Sequence, residues 1–157
     1  MLAGAGCDLL TVHARPQVMA AAARGAAGSD LKILGVTVLT SLTDADLKGD
    51  DHSLSAGDLV ELRVRQALEA GIHGVVSSPH EAANVREIAA EAGRDDFLIV
   101  TPGVRPAGAA LDDQARAATP ASALQAGATH LVIGRPITAV ADPRAAAQAI
   151  SAEIALI

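Results

Sequence analysis

The 157-residue sequence contains no tryptophan, no tyrosine and a single phenylalanine. Without aromatic bulk, its core must be packed from Val, Leu, Ile and Ala. Cysteine is equally scarce: Cys7 stands alone, so no internal disulfide can form, and a reducing, cytoplasmic setting fits such a chain. No apolar run approaches the roughly 18 residues of a membrane-spanning helix, and the first residues show no secretory signal pattern. Positive charge is in deficit, with 12 Lys and Arg against 18 Asp and Glu for a net charge of -6. That balance argues against a nucleic-acid or anionic-membrane partner.

Several familiar chemistries are missing as well. No Walker-type phosphate loop and no G-x-S-x-G elbow occurs. The stretch "GAGCDL" (4–9) begins like a dinucleotide fingerprint, but it lacks the third glycine and precedes a strand instead of following one. The 5 histidines (13, 52, 73, 80, 130) show neither pair spacing nor a Cys/His grouping for a metal. His73 and His130 lie just before strands, away from the end where ligands bind in α/β folds, and a structural role is expected of both.

What the sequence does have is a regular alternation. Short apolar runs rich in β-branched residues lie at 8–12, 33–39, 74–78, 97–101 and 131–134. They hardly alternate apolar with polar, as strands covered on both faces of a parallel sheet do. Ala-rich segments between them carry helix signals. Ser78-Pro79-His80-Glu81 combines an N-cap serine, an early proline and a capping-box glutamate, and Thr119-Pro120 and Asp142-Pro143 open helices similarly. Ser55 is a weaker start. Gly71, Gly93 and Gly127 each stand where a helix needs a C-cap. A faint repeat, "AGAGCDLL", "EAGIHGVV" and "QAGATHLV", joins helix end, glycine stop and strand entry. No linker interrupts the β-α-β-α order, so residues 1–157 read as a single α/β domain. Either an open doubly wound sheet or part of a (β/α)8 barrel satisfies this order, and periodicity does not separate them.

In both architectures ligands bind beyond the carboxyl ends of the strands. Those ends hold His13 and Arg15, Thr40 and Ser41, Ser77 and Ser78, Thr101 and Arg105, and Gly134 and Arg135. Hydroxyls and guanidinium groups on one face suit an anionic small molecule. A phosphate matches both donor types, because arginine gives bidentate charge-assisted bonds and glycine admits close backbone approach.

The motifs at these ends, in order, are "LTVHA" (10–14), "GVTVLTS" (35–41), "GVVSSPHEA" (74–82), "TPGVRPAGAALDDQARAATPASALQAGA" (101–128) and "LVIGRPITAVADP" (131–143). Together they resemble the second half of the bacterial orotidine 5′-phosphate decarboxylase family, across essentially the whole chain. The resemblance implies a TIM (β/α)8 barrel, here an incomplete one covering strands four to eight. It also implies a homodimer that needs no metal or organic cofactor, and conversion of orotidine 5′-monophosphate (OMP) to UMP and CO2. By the same resemblance Thr40 contacts the nucleotide, while Arg105, Gln114, Gly134 and Arg135 hold the ligand and especially its phosphate. Residues 102–118 would form a lid over that phosphate.

The family's catalytic Asp-x-Lys-x-x-Asp, in which the lysine protonates the carbon that loses carboxylate, is expected upstream of Met1, so none of the present residues is assigned a catalytic role. Asp46-Leu47-Lys48-Gly49-Asp50-Asp51 fits that spacing but follows "TSLTDA" instead of an apolar strand. Two alternatives accompany this reading. One is a non-catalytic nucleotide-binding remnant or half-barrel that pairs with an N-terminal partner; the other is a barrel enzyme like hexulose-phosphate synthase.

Overall fold

The computed structural model of the chain describes residues 4–39, 45, 47, 54–106 and 118–157. Five parallel strands form one sheet: β1 (Leu9–His13), β2 (Lys32–Val36), β3 (Gly74–Val76), β4 (Leu98–Thr101) and β5 (His130–Leu131). Between and after them run α1 (Pro16–Ala26), α2 (Ala56–Glu69), α3 (Ala82–Glu91), α4 (Pro120–Gln125), the single turn α5 (Arg135–Thr138) and α6 (Pro143–Ile154).

The strand order is β1-β2-β3-β4-β5, each strand beside its neighbour in sequence. A doubly wound sheet reverses direction at a switch point; a barrel never does. The paired stretch also steps along the strands. On β2 it begins at Lys32 opposite β1 but at Leu34 opposite β3, and on β4 at Leu98 opposite β3 but at Val100 opposite β5. Such stagger is what strands tilted around a barrel produce. The architecture is therefore an arc of an α/β barrel.

Strand parity sorts the core. Ile33, Val75 and Ile99 pack in one cluster with Met19 of α1, with Leu59, Val60, Val64 and Ala67 of α2, and with Val85, Ile88 and Ala89 of α3. The helical residues repeat at three- and four-residue steps, so each helix buries one stripe. Gly35 lets this layer close down, since a β-carbon there would stand 3.1 Å from the Met19 sulfur and 3.2 Å from Ile72 Cδ1. Leu34 and Val100 are buried on the opposite parity. A second, smaller cluster of Val104, Ala123 and Ala128, with Leu131 and Ile133 against it, packs the β4–α4–β5 unit.

The helix starts differ in how they are made. Ser55, the weaker signal, caps α2 by accepting the Asp58 N–H at 3.2 Å, and its hydroxyl donates to the Asp58 carboxylate at 2.7 Å. Thr119 and Asp142 cap α4 and α6 as their sequence context indicates. Ser78 does not cap a helix. Its hydroxyl accepts the His80 N–H at 3.2 Å within a turn, and α3 begins only at Ala82. Pro79 falls within that turn and Glu81 itself stands at the N-cap with no side-chain cap bond, so the capping box expected there does not form.

Gly6, Gly71 and Gly127 each lie three residues before a strand, and all have positive φ (72°, 69° and 103°). A residue with a side chain is disfavoured there, which explains the recurring glycine before each strand.

Candidate functional site

At the carboxyl edge of the sheet, the residue after every strand but β4, which Pro102 follows, still donates to a neighbouring strand. Ala14 N–H reaches Val36 O, Thr37 N–H reaches Val76 O, Ser77 N–H reaches Val100 O, and Val132 N–H reaches Thr101 O, at 2.9–3.2 Å. These bonds hold the ends of the strands, and so the loops that follow them, in fixed succession.

Arg105 follows β4 and is the most informative side chain on this edge. It is only 7% exposed. Its backbone N–H donates to Ala118 O at 2.9 Å, Ala118 N–H returns to Gly103 O at 3.4 Å, and Val104 bridges Ala118 in parallel. The two stems of the 102–118 segment are thereby joined. One guanidinium nitrogen, Nη1, donates to Val104 O at 3.2 Å, whereas Nε is buried with no hydrogen-bond partner among the described residues. Burying an unsatisfied donor of a charged group costs free energy, so such a position calls for a reason.

Gly134 and Arg135 follow β5, the strand beside β4. A β-carbon on Gly134 would meet nothing within 4 Å. The glycine is therefore not required by packing inside the chain. Arg135 opens α5 and is exposed. The sheet thus brings Arg105, Gly134 and Arg135 to the ends of two adjacent strands. Thr40, Ser41 and Gln114 lie outside the described residues, as do most of 102–118 and all but Leu47 of the Asp46–Asp51 stretch.

The hydroxyls sort differently from the sequence expectation. Ser77 and Thr101 are 1% and 0% exposed. They share parity with Val75 and Ile99, which pack against the helices, so they do not join an open ligand face. Their oxygens, like Arg105 Nε, are buried without partners.

His13 ends β1 and Arg15 precedes α1. Together with Arg63 of α2 they line a cavity of about 300 Å³. Arg63 gave no sequence signal, because a lone arginine on an amphipathic helix reads as a solvated side chain. His73 is structural, whereas His130 is exposed. His73 Nδ1 accepts the Ile33 N–H at 3.0 Å, and His130 Nδ1 lies 2.9 Å from Thr129 Oγ1. Desolvation, assisted by the charges of Arg94 and Lys32, lowers the pKa of His73 below its ordinary value. Asp96 is held low chiefly by its hydrogen bond from Arg94. Among the described residues no group of three or more His, Cys, Asp or Glu side chains is arranged to hold a metal, and no helix is long and apolar enough to cross a membrane.

An arc of parallel strands in sequential order, with its glycine and arginines at the carboxyl ends, defines an α/β-barrel protein whose ligand face is that edge. Residues 1–150 match the Orotidine 5'-phosphate decarboxylase / HUMPS family, and the chain belongs to it. It is 66% identical over 155 residues to the orotidine 5'-phosphate decarboxylase of Caulobacter vibrioides (strain NA1000 / CB15N), covering 99% of this chain and 66% of that protein. With the corresponding protein of Caulobacter sp. (strain K31) it shares 68% over 155 residues, with the same coverage. The crystal structure of orotidine 5'-phosphate decarboxylase from Lactobacillus acidophilus superposes with a TM-score of 0.78 at 37% identity, over 98% of this chain and 66% of that one. The chain thus spans just under two thirds of the length of these relatives.

Proposed function

We propose that residues 1–157 form a single, partial barrel domain carrying the nucleotide- and phosphate-binding part of an orotidine 5′-phosphate decarboxylase, which turns OMP into UMP and CO2. The decarboxylases among its relatives favour this over a hexulose-phosphate synthase. The working form is a cytoplasmic homodimer without metal or organic cofactor.

The observation that carries the reading is the buried Arg105 with its unpartnered Nε. A guanidinium held in that state is preorganised for an anion: the cost of burying it is met on folding and recovered when a phosphate accepts the free donor. Arg135, on the next strand end, adds a second charge, and Gly134 leaves room for the ligand to approach the backbone. Gln114 helps to hold the phosphate, and Thr40 contacts the nucleotide.

Binding energy collected at the phosphate accelerates decarboxylation only through groups that act at the reacting carbon. Protonating that carbon calls for a lysine at a carboxyl strand end. The sequence has only Lys32 and Lys48. Lys32 opens β2 at the amino end of the sheet, so it is excluded from that role.

Calorimetric titration with UMP and with OMP tests the reading. Both nucleotides are expected to bind, and Arg105→Ala to weaken UMP by roughly 10- to 100-fold, the worth of a charge-assisted hydrogen bond. Absence of UMP binding, or binding indifferent to Arg105→Ala, would overturn it.

A further inference from the structure

The cavity at the ends of β1 and β2 lies away from Arg105, Gly134 and Arg135, none of which lines it. Among the described residues its charged side chains are arginines. His13, Arg15 and Arg63 face a space of about 300 Å³, and none of the described lining residues is a carboxylate. In a chain with a net charge of -6, three basic side chains around one cavity oppose the overall trend.

These groups are also available. Among the described residues, the His13 imidazole and the Arg15 guanidinium make no hydrogen bond or ion pair. Arg63 spends Nη1 on Gln66 Oε1 at 3.1 Å, which leaves Nε and Nη2 as donors. By contrast Arg65, one turn face away on α2, is paired with Glu61 at 2.9 Å. The remaining described wall is mainly apolar, with Val36, Val38 and Leu59, and its one hydroxyl, Thr37 Oγ1, donates to Val76 O at 2.9 Å. Low-polarity walls strengthen attraction between such a cationic rim and an anion. The volume lies at the small end of the range for small-molecule pockets, roughly 300–1,000 Å³.

We propose that this cavity is a second anion site, which takes a small ligand bearing a phosphoryl or carboxylate group. Arg15 and Arg63 grip the anion from two elements, α1's start and the middle of α2, and His13 donates from the end of β1. The site is distinct from the Arg105, Gly134 and Arg135 phosphate reading above, because none of those three residues lines it.

The test follows the His13 imidazole by NMR, its resonance identified by loss in His13→Gln, during titration with inorganic phosphate and separately with succinate. Saturable movement of His13 is expected, with the apparent affinity reduced at least about tenfold in Arg15→Gln and in Arg63→Gln, as loss of a charge-assisted bond predicts. Arg105→Gln should leave the titration unchanged. Response to phosphate alone identifies a phosphoryl ligand, response to succinate alone a carboxylate ligand, and response to both a general anion site. A shift that never saturates, or saturation untouched by both single variants, overturns the proposal. Equal loss in Arg105→Gln would also overturn it, by making the two sites one. His13, Arg15 and Arg63 are exposed or half-buried, Arg105 is buried, and the dispersed spectrum of each variant reports that it has folded.

Discussion

His73 Nδ1 accepts the backbone N–H of Ile33 at 3.0 Å, at the amino end of β2. Thr129 Oγ1 does the same for the N–H of Ile99 at 2.9 Å, at the amino end of β4. The two side chains occupy the same place in the faint repeat, two residues after Gly71 and Gly127. Each satisfies a strand N–H that would otherwise be unpaired, so an imidazole and a hydroxyl serve one purpose. Thr129 also donates back to Ile99 O at 3.1 Å.

Because His73 must stay neutral to accept that bond, stability should depend on pH. Its folded pKa lies below the unfolded value of 6.5. The unfolded chain therefore binds the proton more readily, and stability present above pH 6.5 is lost as pH falls from there through the depressed folded value. Urea denaturation at a series of pH values should show this decline. His73→Thr, borrowing the solution used at position 129, should flatten it. His73→Ala should cost about 1–3 kcal/mol at neutral pH by orphaning the Ile33 N–H.

Gly74→Ala should be among the most damaging single substitutions. A β-carbon there would fall 2.3 Å from Leu98 O and 2.6 Å from Leu98 Cβ. The obstacle is largely backbone in the neighbouring strand, so β3 and β4 would have to separate. A loss of about 3 kcal/mol or more is expected from overpacking of this kind, read as a lower denaturation midpoint.

Gly134→Ala should separate stability from binding. Open space around its β-carbon position predicts a denaturation midpoint close to that of the parent protein. UMP affinity should fall if the ligand approaches this backbone, as the proposed function requires. Calorimetry on the folded variant checks both halves of the expectation.

Residues 1–157 by themselves should release no CO2 from OMP, since Lys32 stands at the wrong end of β2. The assay is the ultraviolet change as orotidine monophosphate becomes UMP. Any turnover should be retested in Lys48→Ala, where its loss would place the proton donor in Asp46–Asp51.

The strands were legible because β-branched runs such as "ILGVTVL" and "FLIVT" have few other uses, and their glycine stops have a backbone reason in positive φ. Barrel and open sheet were not separable, because strand order is a long-range property that leaves no local period. It emerges only in pairings such as Leu34 with Gly74 and Val100 with His130. Arg105 was found through its "TPGVRP" context, but its burial could not be read there. Ser77 and Thr101 were misassigned to the ligand face, because a one-residue parity decides which side of a strand end a hydroxyl takes. Arg63 was missed altogether. Its partners His13 and Arg15 sit some fifty residues away in sequence and meet it only in the folded chain.

The union of Val104 and Ala118 has a consequence for how this protein tolerates change. The stretch between those residues departs from and returns to one pinned point, so its length is decoupled from the placement of Arg105. Closing a longer loop costs only about 0.6 kcal/mol per doubling of its length. Insertions or exchanged sequences between positions 107 and 117 should therefore leave the barrel's architecture standing, making that interval the place to graft new specificity onto an otherwise unaltered scaffold.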